Sequence, residues 1–247
     1  MLNYTYKHIL LVMVIVAATV GEQGVCFGNQ RLGNLDLEWQ SEWSNRHISE
    51  GVDDDPDSAG FWFNTLTASY GDYTFGGWYA QSLRGSAYNE VNLFAEYGIS
   101  LGDLTLFGGV TWLTFPAPAD VNTWELYLGF EYEVQSRLTF FGEAFYDIDD
   151  IRGGFIELGI ASVLPTDGFD ERLDIVPYGL IGIDFGYVSG PRRIKGNNLQ
   201  FGLEASYAVD TNWEVIGSIN HSFRLSNLRA QGEGDVSWVS AGLVFRF

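Results

Sequence analysis

Cysteine and basic residues are scarce in this sequence: one cysteine, Cys26, stands beside 13 lysines and arginines and 32 aspartates and glutamates in 247 residues. A single thiol excludes an intramolecular disulfide, even in a compartment that permits one. A formal net charge of −19 provides no basic stripe for phosphates, which argues against a nucleic-acid partner. Zinc-type spacings, phosphate-binding glycine loops and nucleophile elbows are also missing, so no cofactor is expected. Long apolar runs are absent with one exception, "ILLVMVIVAATV" at residues 9–20. As a helix it rises about 18 Å, short of the roughly 30 Å hydrocarbon core, and Lys7 precedes it. It reads as a secretory signal peptide within residues 1–28, cut after Gly21, Cys26 or Gly28, with one domain over 29–247. "EQGV" before Cys26 fits a lipidated cysteine poorly. Disorder is excluded by a hydrophobic content of 46% and an aromatic content of 16%.

What fills the chain is alternation. "SWVSAGLVFRF" ends it with Val239, Ala241, Leu243, Phe245 and Phe247 on one face. "EVNLFAEYGIS" places Val91, Leu93, Ala95, Tyr97 and Ile99 opposite Glu90, Asn92, Phe94 and Glu96. "WELYLGFEYEV" places Trp124, Leu126, Leu128, Phe130, Tyr132 and Val134 opposite Glu125, Tyr127, Gly129, Glu131 and Glu133. Period two is the mark of strands with one apolar face. Segmentation predicts twelve strands, near 33–45, 61–70, 73–84, 88–101, 104–115, 122–134, 138–148, 154–164, 173–187, 197–209, 213–224 and 235–247. Many exceed the 5–6 residues usual in globular sheets and reach the roughly 9–11 needed to cross hydrocarbon.

The connections alternate as well. Short turns ("YGDY", "LGDL", "VQSRL", "VDTNW", with "LPTDGFDERL" as a longer exception) interleave with long loops such as "NRHISEGVDDDPDSAG" and "SNLRAQGEGD". That asymmetry marks an outer-membrane barrel. At "YGDY" the apolar phase switches from even to odd positions, and at "LGDL" from odd to even, as two-residue hairpins require. Outward aromatics sort into two belts: Tyr70, Tyr73, Tyr97, Tyr132, Phe140, Tyr207, Trp213 and Phe247 near the short turns, and Trp43, Tyr79, Trp112, Trp124, Tyr146 and Phe223 near the long loops. Such belts suit the two bilayer interfaces. The expected fold is an all-β, antiparallel up-and-down transmembrane barrel in the outer membrane of a Gram-negative-type bacterium. Lacking a free edge, it must zip its last strand onto its first.

The stretch "LTLFGGVTWLTFPAPADVNTWELYLGFEYEV" resembles the hairpin of TorF-type porins of bacterial outer membranes, most clearly over residues 88–146. The resemblance implies an outer-membrane location amid lipid and lipopolysaccharide, insertion by the β-barrel assembly machinery, and a pore. Val239, Ala241, Leu243, Phe245 and Phe247 would then be the C-terminal insertion signature. It supplies no catalytic residues.

The polar faces gather acids. Glu90, Glu96, Glu125, Glu131, Glu143, Glu157, Glu204 and Glu214 are expected to line the lumen, along with Asp147, against Arg246, Arg84 and Arg224. An acidic lumen favours cations, so passive passage of small cationic or neutral solutes is the leading expectation. Trp78, Phe94, Phe107, Phe141, Phe145 and Phe155 also point inward and are expected to narrow or plug the lumen. The alternative is a non-conducting structural or adhesive barrel whose loops carry the function. A lipid hydrolase on the outer wall comes third. His221 faces outward, but Ser218 and Ser222 of the same strand face the other way, and His47 and Ser49 lie in a long loop. Asp53, Asp55 and Asp57 alternate as in a calcium loop, yet Ser58 and Asn64 stand where glycine and glutamate belong. "PRRIK" at 191–195 is a solvated loop by default.

Overall fold

The computed structural model describes residues 35–83, 88–117, 121–134, 137–166, 168, 170–190 and 194–247. The expected signal peptide, Arg84 and positions 191–193 lie outside them. Strand β1 (Leu35–Ser44) leads into a small hairpin, β2 (Ile48–Ser49) and β3 (Val52–Asp53). Then come β4 (Phe61–Tyr70), β5 (Tyr73–Ser82), β6 (Asn89–Leu101), β7 (Leu104–Ala117), β8 (Val121–Val134), β9 (Leu138–Asp147) and β10 (Gly154–Ser162). The chain closes with β11 (Leu173–Phe185), β12 (Lys195–Ala208), β13 (Trp213–Arg224), a short helix α1 (Ser226–Ala230) and β14 (Val236–Arg246).

Apart from β2 and β3, the strands form one closed barrel of twelve, each antiparallel to its neighbours, with β1 paired to both β4 and β14. Closure leaves no strand edge, so the hydrogen-bonded ladder runs around the whole wall. The seam runs from Glu38↔Arg246 to Ser44↔Ser240, and Phe247 donates its N–H to the Leu37 carbonyl at 3.0 Å.

Turn chemistry sets the register. Gly71 (φ 59°) and Gly102 (φ 66°) supply left-handed backbone at the first centre of their turns, so Tyr70 faces Tyr73 and Leu101 faces Leu104. Both glycines meet nothing within 4 Å of a hypothetical Cβ; backbone conformation is the reason for them, not space. The alternation then carries through the wall, and the apolar set faces outward. Leu128, at mid-strand in β8, is 66% exposed, whereas Val244, on the opposite face of β14, is 4% exposed. Aromatics pair across strands at both rims: Tyr73 with Tyr97 (centroids 5.1 Å) and Trp213 with Phe245 (4.6 Å) near the short turns. Near the long loops Trp43 is opposite Trp62, and Trp112 opposite Trp124.

Candidate functional site: the barrel lumen

Four of the six inward aromatics lie along the wall, each over a glycine of an adjacent strand, as does Tyr178; Phe145 stacks on Phe155 and Trp78 on Phe63. Phe94 covers Gly76, Phe107 covers Gly129, Phe141 covers Gly159, and Tyr178 covers Gly202, and at each of these glycines a Cβ would collide with the ring. The members of each pair are direct cross-strand partners. Phe155 covers Gly182 in the same way on a diagonal. The glycine removes the side chain that would otherwise push the ring toward the axis.

The lumen is also narrowed by the segment between β1 and β4, whose hairpin β2–β3 folds inward. Its turn is Glu50-Gly51, with φ of 44° and 73°, the positive pair that a two-residue hairpin of type I′ demands. At its root, Arg46 Nη1 binds Asp53 Oδ2 at 2.9 Å and the Pro56 carbonyl at 2.8 Å. His47 reaches Glu90 of β6 (3.3 Å) and Asp54 (3.7 Å) and is met edge-on by the rings of Phe61, Phe63, Trp78 and Tyr88. At its tip, Asn197 Nδ2 donates to the Glu50 carbonyl, and Gly51 packs so closely on Asn198 that a Cβ would lie 2.7 Å from that side chain. The grip comes from a bulge: β12 slips register opposite Gly182/Ile183, which allows consecutive Asn197 and Asn198, both fully buried, to serve one site.

The tip stands among carboxylates. Burial pushes the Glu50 carboxyl up to about 8, opposed by the Ser49 hydroxyl and reinforced by the charges of Glu125, Glu157 and Glu90. Asp54 is raised for the same reason, with Glu50 and Glu90 adding to burial. Asp53 is also raised by burial despite its ion pair with Arg46, which pulls the other way. The phenols of Tyr88 and Tyr187 are pushed up by burial and then by these carboxylates.

Most of the expected acids take up specific partners. Glu90 is buried and accepts from Tyr88 (2.7 Å) and Asn92 (2.9 Å); Glu96 accepts from Tyr127 (3.1 Å). Glu125 and Glu157 face the hairpin tip and Glu143 lies near Glu96, while Glu204 borders a second cavity of about 280 Å³. Glu131 is exposed toward the short-turn rim. Glu214 belongs to an ion pair with Arg246 (2.8 Å), which also holds Glu38 (2.9 Å). Asp147, opposite Glu125 on the inward phase, is fully buried and accepts from Thr123 and from the backbone N–H groups of Asp149, Ile151 and Arg152. It ties down its own loop. Val239, Ala241, Leu243, Phe245 and Phe247 share the outward face of β14 and the terminus. His221 does have a serine partner, missed because it lies on the next strand: His221 Nδ1 is 2.7 Å from Ser237 Oγ.

No protein-family model and no curated protein matches the chain. Among solved structures it is similar to the KdgM porin, with a TM-score of 0.56 at 11% identity, covering 86% of this chain and 99% of that one. It is also similar to the COG4313 outer-membrane channel from Pseudomonas putida F1 (TM-score 0.55, 11% identity, 91% and 100% covered). A third likeness is to LpxR from Salmonella typhimurium (TM-score 0.52, 9% identity, 85% and 99% covered). The fold is therefore that of outer-membrane β-barrels, shared with the porin and the channel named above. At these identities the likeness is one of fold, and fold alone does not assign an activity. The likeness to TorF-type porins rests on the sequence stretch alone.

Proposed function

We propose that the protein is a passive outer-membrane channel for small cationic or neutral solutes, with the inserted hairpin as its constriction. The observation that carries this reading is the excess of carboxylates on the inward phase of the strands, Glu38, Glu90, Glu96, Glu125, Glu143, Glu157 and Glu204 among them, with few cations to oppose them. Arg246 and Arg46 are each bound to acids, and Arg224 is buried near the long-loop rim, bonded to Ser222 and within reach of the charges of Asp53, Glu233 and Asp235. Fixed negative charge around a narrow aqueous path raises the local concentration of cations and excludes anions. Twelve strands enclose an interior between the filled eight-stranded and the open sixteen-stranded cases, which suits small permeants. One of the channels it resembles has been solved in complex with disordered oligogalacturonate; an acidic lumen disfavours so anionic a chain. Outer-membrane lipid and the β-barrel assembly machinery are the partners this reading requires.

The test is planar-bilayer recording under a salt gradient, with a reversal potential of cation sign expected. An anion-sign potential would remove the selectivity, and a silent barrel would leave the structural or adhesive reading. The His221–Ser237 contact favours a hydrolase only if a third group orients the imidazole. The imidazole also meets the Phe223 ring edge-on, 4.3 Å away, and Phe201 stands opposite on β12, so the pair is read as an interfacial polar contact.

A further inference from the structure

We propose that the lumen contains a binding subsite for an uncharged sugar ring. It lies in a cavity of about 250 Å³ enclosed by the hairpin segment and the β13–β14–β1–β4–β5 side of the wall. The proposal deepens the channel reading by naming a class of neutral solute, and it rests on that reading for how the solute arrives.

The lining has two kinds of surface. Phe63 and Trp78 stack, with centroids 5.5 Å apart and planes 21° from parallel, and Trp238 adds a third ring. Between these rings lie Gln40, Glu42, Thr65, Ser218 and Ser240. All of these wall positions share the inward phase of their strands, so the cavity is part of the aqueous path. A pyranose matches such a lining because it presents apolar C–H faces to aromatic rings and a rim of hydroxyls that both donate and accept. The short hydroxyls are already aligned: Ser218 Oγ lies 2.8 Å from Ser240 Oγ and accepts from Asn220 Nδ2 at 2.8 Å. Gln40 donates to Glu42 Oε2 at 3.0 Å, which leaves the other carboxylate oxygen of Glu42 to accept from a sugar hydroxyl.

Charge decides which sugar. Among the described residues Arg46 and His47 are the basic side chains lining the cavity; Arg46 is committed to Asp53 and the Pro56 carbonyl, and His47 to Glu90 and Asp54. A uronate would therefore meet Glu42 without a counter-ion, whereas glucose meets no penalty. The volume falls just below the roughly 300–1,000 Å³ of pockets for drug-sized ligands, which fits a solute of one ring.

The experiment titrates the folded barrel in detergent with glucose and with glucuronate, following tryptophan fluorescence and calorimetry. Saturable glucose binding is expected with half-saturation on the order of 10 mM, and glucuronate binding at least about tenfold weaker. Trp238→Phe should weaken glucose binding about threefold and Trp78→Ala at least fivefold, while Trp213→Phe on the outer wall should leave it unchanged. Glu42→Ala supplies a second lumen variant should Trp78→Ala fail to fold. A response that never saturates, glucuronate binding as tight as glucose, or wild-type affinity in the lumen variants would overturn the subsite. Conductance is measured on the same preparation. Conduction without saturable binding would sink the subsite and leave the channel, whereas saturable binding without conduction would sink the channel and leave the subsite.

Discussion

Glu50 combines two costs. Its φ of 44° is left-handed backbone, worth about 1–2 kcal/mol against an ordinary side chain, at a turn centre where asparagine or glycine is usual. Its carboxyl is also carried into an acidic, half-buried setting that raises it from an ordinary value of 4.5 to about 8. The sign follows from linkage: below 4.5 the group is protonated whether the hairpin is docked or free, so docking carries no penalty. Between 4.5 and about 8 the free hairpin releases the proton and the docked one keeps it, so docking loses ground as pH rises and loses no more above that window. Raising the pH from about 5 to about 9 should therefore increase conductance and protease access to residues 45–60. Glu50→Gln should flatten much of this profile, and Glu50→Gln with Asp54→Asn should flatten it further, because Asp54 is raised in the same sense. Identical pH profiles for wild type and both variants would refute the assignment. None of this was legible in the sequence. Strands β2 and β3 have two residues each, too few for a period-two pattern, and the acids at 53, 55 and 57 read as a solvated loop. The usable signal was a glycine following a polar residue between short β-branched segments, "ISEGVD".

The strands were legible because each is long, half apolar and bounded by turn residues; the expected limits differ from the observed ones by no more than two residues at either end of any of the twelve. Side-chain disposition within the inward face was less legible. Alternation says that Phe107 points inward, but not that it lies along the wall, because that depends on which residue of the neighbouring strand stands opposite. Here the opposite residue is Gly129. Gly129→Val should drive the Phe107 ring toward the axis, reduce conductance, and destabilise the barrel by about 1–3 kcal/mol through overpacking. Urea unfolding in detergent and single-channel recording check both halves, and Phe107→Ala in the same background should restore conductance. The loop ends show a second device hidden from periodicity. Asp184 is fully buried and accepts from the N–H groups of Gly186, Val188 and Ser189 and from Asn227 of α1. A carboxylate that satisfies several donors at once holds both the β11–β12 loop and the helix over the rim. Asp184→Ala should cost about 2–4 kcal/mol, read as earlier unfolding and as faster proteolysis within 186–190 and 226–235. Unchanged cleavage there would show that the loop is held by something else.

At the scale of the molecule, one assignment underlies the rest: the outward apolar face meets hydrocarbon and the inward face meets water. Outward leucines such as Leu128, at 66% exposure, have no protein to pack against, so the surrounding medium must accept them. The strand count, the alternating turn lengths and the paired aromatic rims follow from this two-solvent geometry, which is why they could be read from the sequence. The contents of the lumen could not, because the hairpin, the bulge and the helix are held by a few polar contacts between segments far apart in the chain. The two solvents make opposite demands on the two faces of the wall. Leu128 of β8 faces out and Thr111 of β7 faces in, opposite Glu125. Leu128→Arg places an uncompensated charge near the bilayer midplane, at a cost of about 2–4 kcal/mol. Thr111→Arg places the same charge in a hydrated lumen beside a carboxylate and should cost less than about 1 kcal/mol, while shifting the reversal potential toward anions. Unfolding of both variants in lipid vesicles measures the difference directly. Equal costs for the two arginines would mean that the outer wall does not face hydrocarbon, and the membrane orientation would fall with it.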